Sequence, residues 1–123
     1  MSDCLDPVLV AEAGRVIAAN LAAGRRIAVA ESCTGGLVSA ALTSIAGSSA
    51  VFEAGYVTYS NDAKIDVLHV DTNILETFGA VSIATAWAMA QGALTRSNAD
   101  AAIAITGIAG PDGGSGPKGG FFG

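Results

Sequence analysis

A serine, a cysteine and a threonine stand side by side in Glu31-Ser32-Cys33-Thr34-Gly35-Gly36, directly after the apolar run Ile27-Ala28-Val29-Ala30. Hydroxyl and thiol groups are potential nucleophiles, and paired glycines let a ligand approach the backbone closely. A strand handing over to a helix here would place these groups at the carboxyl end of a sheet, where open α/β folds bind ligands. The helix N-terminus would add free N–H groups facing an anion. Cys33 competes as a nucleophile, with Glu31 beside it as a candidate base. The same residues would equally make a plain helix cap with glycines for close packing. The loop is not a Walker loop, since no Gly-Lys-Ser/Thr follows, and its glycine spacing is not that of a dinucleotide fingerprint.

Two further clusters carry chemistry. Thr106-Gly107-Ile108-Ala109-Gly110-Pro111 follows the apolar run Ala101–Ile105, so two glycine-bearing loops could face each other across one cleft; an ordinary strand-to-helix turn is the alternative. Gly47-Ser48-Ser49, Tyr59-Ser60-Asn61 and Lys64 form the third set. A serine nucleophile needs a base, and His69 is the only histidine, so that base would be Lys, Tyr or a carboxylate. Lys64 can serve only where burial or a nearby cation lowers its pKa toward neutrality. Otherwise it is a surface lysine near a turn serine pair. His69 suits a surface or helix-end position, and Trp87 and Met89, at helical spacing, suit the core.

The elements that must position these groups alternate. Asp6-Pro7 opens a helix through Val10, Ala13, Ile17 and Leu21, which Gly24 stops. Leu37, Ala40, Ala41, Ser44 and Ile45 line one face of a second helix, closing at Gly47. Tyr56-Val57-Thr58-Tyr59 predicts a strand. Asn61 caps a short helix carrying Lys64, Val67 and Leu68; Asn73 and Glu76 are spaced as a capping pair for a helix over 74–78; Ser82 caps a longer one through Trp87, Ala90 and Leu94. Phe121-Phe122, after a glycine-rich loop from Asp112 to Gly120, looks like the start of a strand. Strands alternating with helices give an α/β sandwich with a largely parallel sheet.

Composition narrows the function. The 123 residues are 51% hydrophobic and 14% charged, enough apolar surface for one packed domain and too much for disorder. Much of the apolarity is alanine, which asks for close, helix-rich packing. The formal charge is −5, with six Lys and Arg, and Arg25-Arg26 is the only adjacent basic pair. Direct nucleic-acid binding, which wants a basic stripe, is therefore not expected. A phosphate would be held mainly by backbone N–H groups and helix dipoles. Two cysteines, Cys4 and Cys33, with one histidine, exclude a Cys/His zinc site and a histidine-based triad. The acidic N-terminus is not that of a signal peptide, and no apolar run reaches the ~18 residues of a bilayer span, so a cytoplasmic, membrane-free location is expected.

Ala30-Glu31-Ser32-Cys33-Thr34-Gly35-Gly36, Gly47-Ser48-Ser49, Tyr59-Ser60-Asn61 with Lys64, Gly79-Ala80-Val81-Ser82 and Thr106-Gly107-Ile108-Ala109-Gly110-Pro111 occur in an order that resembles the CinA C-terminal domain family. Its enzymatically active members are nicotinamide-nucleotide amidases. The resemblance covers residues 1–123 as one domain and implies a three-layer α/β/α sandwich with a mixed, largely parallel sheet. It also implies a chain that stops short of the family's last strand and helix. The implied reaction is hydrolysis of the carboxamide of nicotinamide mononucleotide to nicotinic acid mononucleotide and ammonia, without metal or organic cofactor, in a homodimer or higher homo-oligomer. Motif by motif, Ser48 would be the nucleophile, Lys64 its base and Tyr59 a relaying or orienting group. Ser32, Cys33, Thr34, Gly35 and Gly36 would bind around the substrate with Thr106 and Gly107.

One geometric tension follows. A helix from Gly36 to Ile45 advances roughly 15 Å, which should carry Ser48 away from Ser32. A single site then needs a return by residues 49–55 or a second subunit; failing both, Ser32 or Cys33 is the better nucleophile. A reading from a different class is a catalytically weak nucleotide-binding or protein-interaction module associated with competence and DNA damage.

Overall fold

The computed structural model describes residues 5–107 and the backbone of 120–122. Helix α1 (Pro7–Ala23) starts where the Asp6 carboxylate accepts from the Val8 N–H at 2.7 Å and Pro7 fills the first position; it stops at Gly24, whose φ of 68° is left-handed. Strand β1 (Ile27–Glu31) is buried at every position because it is central in the sheet. It pairs in parallel with β2 (Phe52–Val57) on one side and β3 (Ala101–Thr106) on the other. Strand β4 (Gly120–Phe122) runs antiparallel to β3, Phe121 opposite Ile105, so the sheet is mixed and the expected strand at the two phenylalanines is present. The order is β2-β1-β3-β4.

Helices cover both faces, giving the α/β/α sandwich. Helix α1 and α2 (Leu37–Thr43) pack on Ile27, Val29 and Ile105. Helices α3 (Asn61–Leu68), α4 (Thr72–Phe78) and α5 (Ile83–Arg96) lie on the face of Ala28, Ala30, Ala102 and Ala104. Alanine on both partners lets α5 come close, through Ala86, Ala90 and Ala93. Against α3 the approach is tight at Gly92, where a Cβ would meet the Leu68 carbonyl oxygen at 2.1 Å.

Several local expectations shift. Strand β2 begins at Phe52 and ends at Val57, releasing Thr58 and Tyr59 into the following turn. The cap of α3 is Ser60, whose hydroxyl accepts from the Ala63 N–H at 3.0 Å; Asn61 is the first helical residue. Asp71, not Asn73 with Glu76, caps α4. In α2 the buried residues are Val38, Ala41 and Leu42, while Leu37 is 45% exposed. In α5, Met89 is buried as expected but Trp87 is 53% exposed, because the alanine stripe sets which side of the helix faces the sheet. Among the described residues no helix is long and apolar enough to cross a membrane. Cys4, Ile108–Pro111 and the glycine loop over 112–119 lie outside them.

Candidate active site

The three parallel strands finish level with one another: Glu31 pairs with Val57 and with Ile105. The segments leaving these ends enclose a cavity of about 230 Å³. Ser32 and Cys33 reach it from β1, Tyr59 and Asn61 from β2, Thr106 and Gly107 from β3, and Lys64 and Ala80 complete its wall. The sequence pattern alone did not single out Asn61 and Ala80 as site residues. The only signal for them was their membership in motifs that also follow or face a strand end.

Ser32 is held at both ends. Its N–H donates to the Ile105 carbonyl at 3.0 Å, and its hydroxyl, 3.4 Å from the Tyr59 carbonyl, is aimed at that oxygen. Lys64 sits one turn into α3, beyond the Ser60 cap, with only 1% of its surface exposed. Its Nζ donates to the same Tyr59 carbonyl at 2.9 Å. Burial pushes the Lys64 ammonium down from its ordinary value, outweighing the opposite pull of the neighbouring Cys33 side chain. A hydroxyl and an amine biased toward its neutral form therefore share one acceptor. Cys33, half-buried and free, lines the same space. The Thr106 hydroxyl donates to the Ala80 carbonyl at 2.8 Å, tying the end of β3 to the turn before α5. The Tyr59 side chain is 68% exposed.

The rest of the first motif turns away from the cavity. Glu31 is fully buried and accepts four hydrogen bonds: Thr34 Oγ1 at 2.6 Å, Val38 N–H at 2.9 Å, Ser39 N–H at 2.8 Å and Ser39 Oγ at 2.6 Å. Burial alone would raise its carboxyl; these hydrogen bonds more than offset that and hold it below the usual carboxylate value. Two expectations are thereby corrected. Glu31 has no room to act as a base for Cys33, and the first amides of α2, expected to face a ligand anion, are already bonded to an internal one. Thr34, Gly35 and Gly36, expected around the substrate, do not line the cavity. Thr34 spends its hydroxyl on Glu31, and Gly36, at φ 102°, makes a turn only glycine adopts readily.

Ser48 is not brought to Lys64 within one protomer. It opens a 3-10 turn, Ser48–Ala50, just before β2, and its hydroxyl donates to the Thr43 carbonyl at 3.3 Å. The first residue of β2, Phe52, pairs with Ile27, the first of β1, so Ser48 stands at the amino edge of the sheet and Lys64 at the carboxyl edge. Residues 49–55 do not return it, because from Phe52 onward they become the strand itself. Arg26 is spent at that far edge, its guanidinium bonded to Glu53 at 2.7 Å and to the Ser49 and Phe52 carbonyls. A larger cavity of about 570 Å³, between α3, α4 and α5, is lined by apolar groups such as Leu68, Phe78 and Trp87 and carries no serine, cysteine or lysine.

Residues 11–120 match the sequence model of the CinA C-terminal domain. A CinA-like protein of Chlorobium limicola is 55% identical over 113 residues, 92% of this chain and 26% of that protein. Another, of Mycolicibacterium gilvum, is 60% identical over 100 residues, 81% of this chain and 24% of the relative. The chain thus spans about a quarter of the length of these curated relatives. Among solved structures, the competence/damage inducible protein CihA from Agrobacterium tumefaciens superposes with a TM-score of 0.83 at 56% identity, over 90% of this chain and 67% of that one. A CinA superfamily protein from Escherichia coli gives 0.82 at 38% identity, over 89% of this chain and 65% of that one. A match running through most of the sequence, at this identity and on the same fold, means that the chain belongs to the CinA C-terminal domain family.

Proposed function

We propose that the chain hydrolyses the carboxamide of nicotinamide mononucleotide, giving nicotinic acid mononucleotide and ammonia, with Ser32 as nucleophile and Lys64 as its base. The observation that carries this assignment is the shared acceptor: Ser32 Oγ and Lys64 Nζ both bond the Tyr59 carbonyl at the edge of one cavity. The substrate class comes from the family. The cavity, about 230 Å³, suits a pyridine carboxamide with its ribose phosphate outside, beside Asn61, Thr106 and Gly107. In this reading the exposed Tyr59 ring covers the pyridine.

Neutral Lys64 takes the Ser32 proton as Oγ attacks the carboxamide carbon. The oxyanion is received by the N–H groups of Cys33 and Thr34, which have no acceptor among the described residues. Protonated Lys64 then gives its proton to the leaving nitrogen, and ammonia departs. Water, deprotonated by Lys64, attacks the acyl-enzyme; as the acyl–Oγ bond breaks, Lys64 returns that proton to Ser32 Oγ and the acid is released.

The test is ammonia release from nicotinamide mononucleotide by wild type, Ser32→Ala and Ser48→Ala. Turnover lost only in Ser32→Ala supports the assignment. Loss only in Ser48→Ala would return the nucleophile to Ser48, acting on Lys64 of a neighbouring subunit. Binding without turnover in wild type would favour the binding-module reading.

A further inference from the structure

We infer that Glu31 is the positioning residue of the site: its carboxylate is a built-in anion that fills the start of α2 and thereby fixes the direction in which Ser32 leaves β1. The inference rests on Ser32 being the reactive hydroxyl.

Three observations carry it. First, Glu31 precedes Ser32 directly, and its main chain is tied on both sides of the sheet, its carbonyl accepting from the Thr58 N–H at 2.8 Å while its backbone pairs with Ile105. Whatever holds Glu31 holds the peptide that carries Ser32. Second, all four donors to the carboxylate come from the segment after Ser32: Thr34, Val38 and Ser39. The carboxylate therefore closes residues 32–36 into a loop anchored at both ends, which turns the Thr34 hydroxyl inward and leaves the Cys33 and Thr34 amides without an acceptor among the described residues. A charged acceptor of several short hydrogen bonds is the stiffest anchor available to such a loop. Third, the neighbouring strand makes room for it. A Cβ at Gly55, on β2, would sit 2.6 Å from Ser39 Oγ, so the glycine is what permits Ser39 to reach Glu31.

The anchor is internal to the protein, so the site is preorganised before substrate arrives, and α2 does not serve as the seat for the substrate's phosphate. Small displacements of a nucleophile are costly to rate but not to binding of the rest of the substrate. Loss of the anchor should therefore appear in kcat rather than KM.

The experiment uses the full chain with Glu31→Gln, Ser39→Ala and Gly55→Ala, none of which removes a cavity-lining group. Two readouts are taken: kcat and KM for nicotinamide mononucleotide, and the rate at which a fluorophosphonate labels Ser32, located by mass spectrometry. Circular dichroism fixes the folded fraction. Glu31→Gln is expected to lower kcat and labelling by about tenfold or more, with KM within about twofold. Ser39→Ala, which removes one donor, and Gly55→Ala, which crowds the same hydroxyl, should move both in the same direction by less. Labelling that is unchanged in folded Glu31→Gln, or that falls only with the folded fraction, would overturn the inference. So would a Ser32 that does not label in wild type, since no primed hydroxyl would then exist to be held. Should Glu31→Gln fail to fold, the two milder variants decide. If wild type labels at Ser32 but leaves nicotinamide mononucleotide intact, the substrate assignment fails while labelling in the variants still judges the role of Glu31.

Discussion

Ser32 Oγ and Lys64 Nζ converge on the main-chain carbonyl of Tyr59, at 3.4 and 2.9 Å. One acceptor with two donors caps the separation of the donors at the sum of those distances. Within that bound the proton passes to the amine once the two groups close on each other, as apo sites commonly do on binding. The carbonyl belongs to the residue that leaves β2, so the pairing depends on β1 and β2 ending level.

The first prediction concerns the amine. Lys64→Met should remove turnover by at least about a hundredfold, within the range expected for a general base. Lys64→Arg should not restore it, because a guanidinium keeps its proton at any accessible pH. Steady-state ammonia release measures both; substantial activity in either would remove Lys64 as base.

Burial of Lys64 also fixes the sign of a stability effect. Its folded pKa is lowered, so the unfolded chain binds the proton more tightly, and stability rises with pH between the lowered folded value and the unfolded value of about 10.4. Lys64→Met should therefore be more stable than wild type near neutrality, by about 1 kcal/mol or more, with the gain shrinking as pH rises through that window. Urea midpoints across the alkaline range measure this. The rate of wild-type turnover should rise over the lower part of the same range, as Lys64 loses its proton.

Glu31 acts with the opposite sign. Its folded pKa lies below the unfolded one, so its contribution is complete above the unfolded carboxyl value and is lost as pH falls through the folded value. Glu31→Gln should cost about 1–3 kcal/mol at pH 7 and flatten the acid side of the stability profile. A variant whose stability runs parallel to wild type into acid would show that other carboxyls govern that limb.

Much of the scaffold was legible because its signals are local. Asp6-Pro7 and Gly24 bracket α1, Ser82 caps α5, and the short apolar runs at Ile27 and Ala101, each leading into a glycine-bearing loop, read as strands. That the loops of Ser32 and Thr106 could face one cleft was readable from their positions after strands; the spacing grouped Tyr59 and Lys64 with Ser48 instead. What was not legible depends on partners set by the fold. Nothing in the spacing of Glu31 reveals that its carboxylate turns back under α2, yet that contact fixes the rotation of α2 and buries Val38 rather than Leu37. The length of the helix after Gly36 already carries Ser48 away from Ser32; that residues 49–55 do not bring it back follows only once Phe52 is known to pair with Ile27.

Gly92 gives a prediction confined to packing. Its Cβ would fall 2.1 Å from the Leu68 carbonyl oxygen and 2.9 Å from Leu68 Cβ, contacts that only backbone movement of α3 or α5 can relieve. Gly92→Ala is expected to destabilise by roughly 1–3 kcal/mol despite alanine's better helix propensity, the cost of overpacking exceeding the propensity gain of about 1 kcal/mol. Thermal unfolding measures it, and an alanine variant as stable as wild type would mean that the two helices can separate without loss.

Thr58 supplies the last one. Its side chain is fully buried just beyond β2, and its Oγ1 has no hydrogen-bond partner among the described residues. A buried hydroxyl without a partner costs about 1–3 kcal/mol of desolvation, and valine keeps the branched shape without the polar atom. Thr58→Val should therefore raise the unfolding midpoint, by an amount corresponding to about 1 kcal/mol, and leave the Thr58 N–H to Glu31 carbonyl bond at 2.8 Å in place. Because that bond lies in the backbone, turnover should be unchanged by the same substitution. A Thr58→Val chain that unfolds earlier than wild type, or that loses activity while folded, would mean that the hydroxyl has a partner that forms only in the working protein.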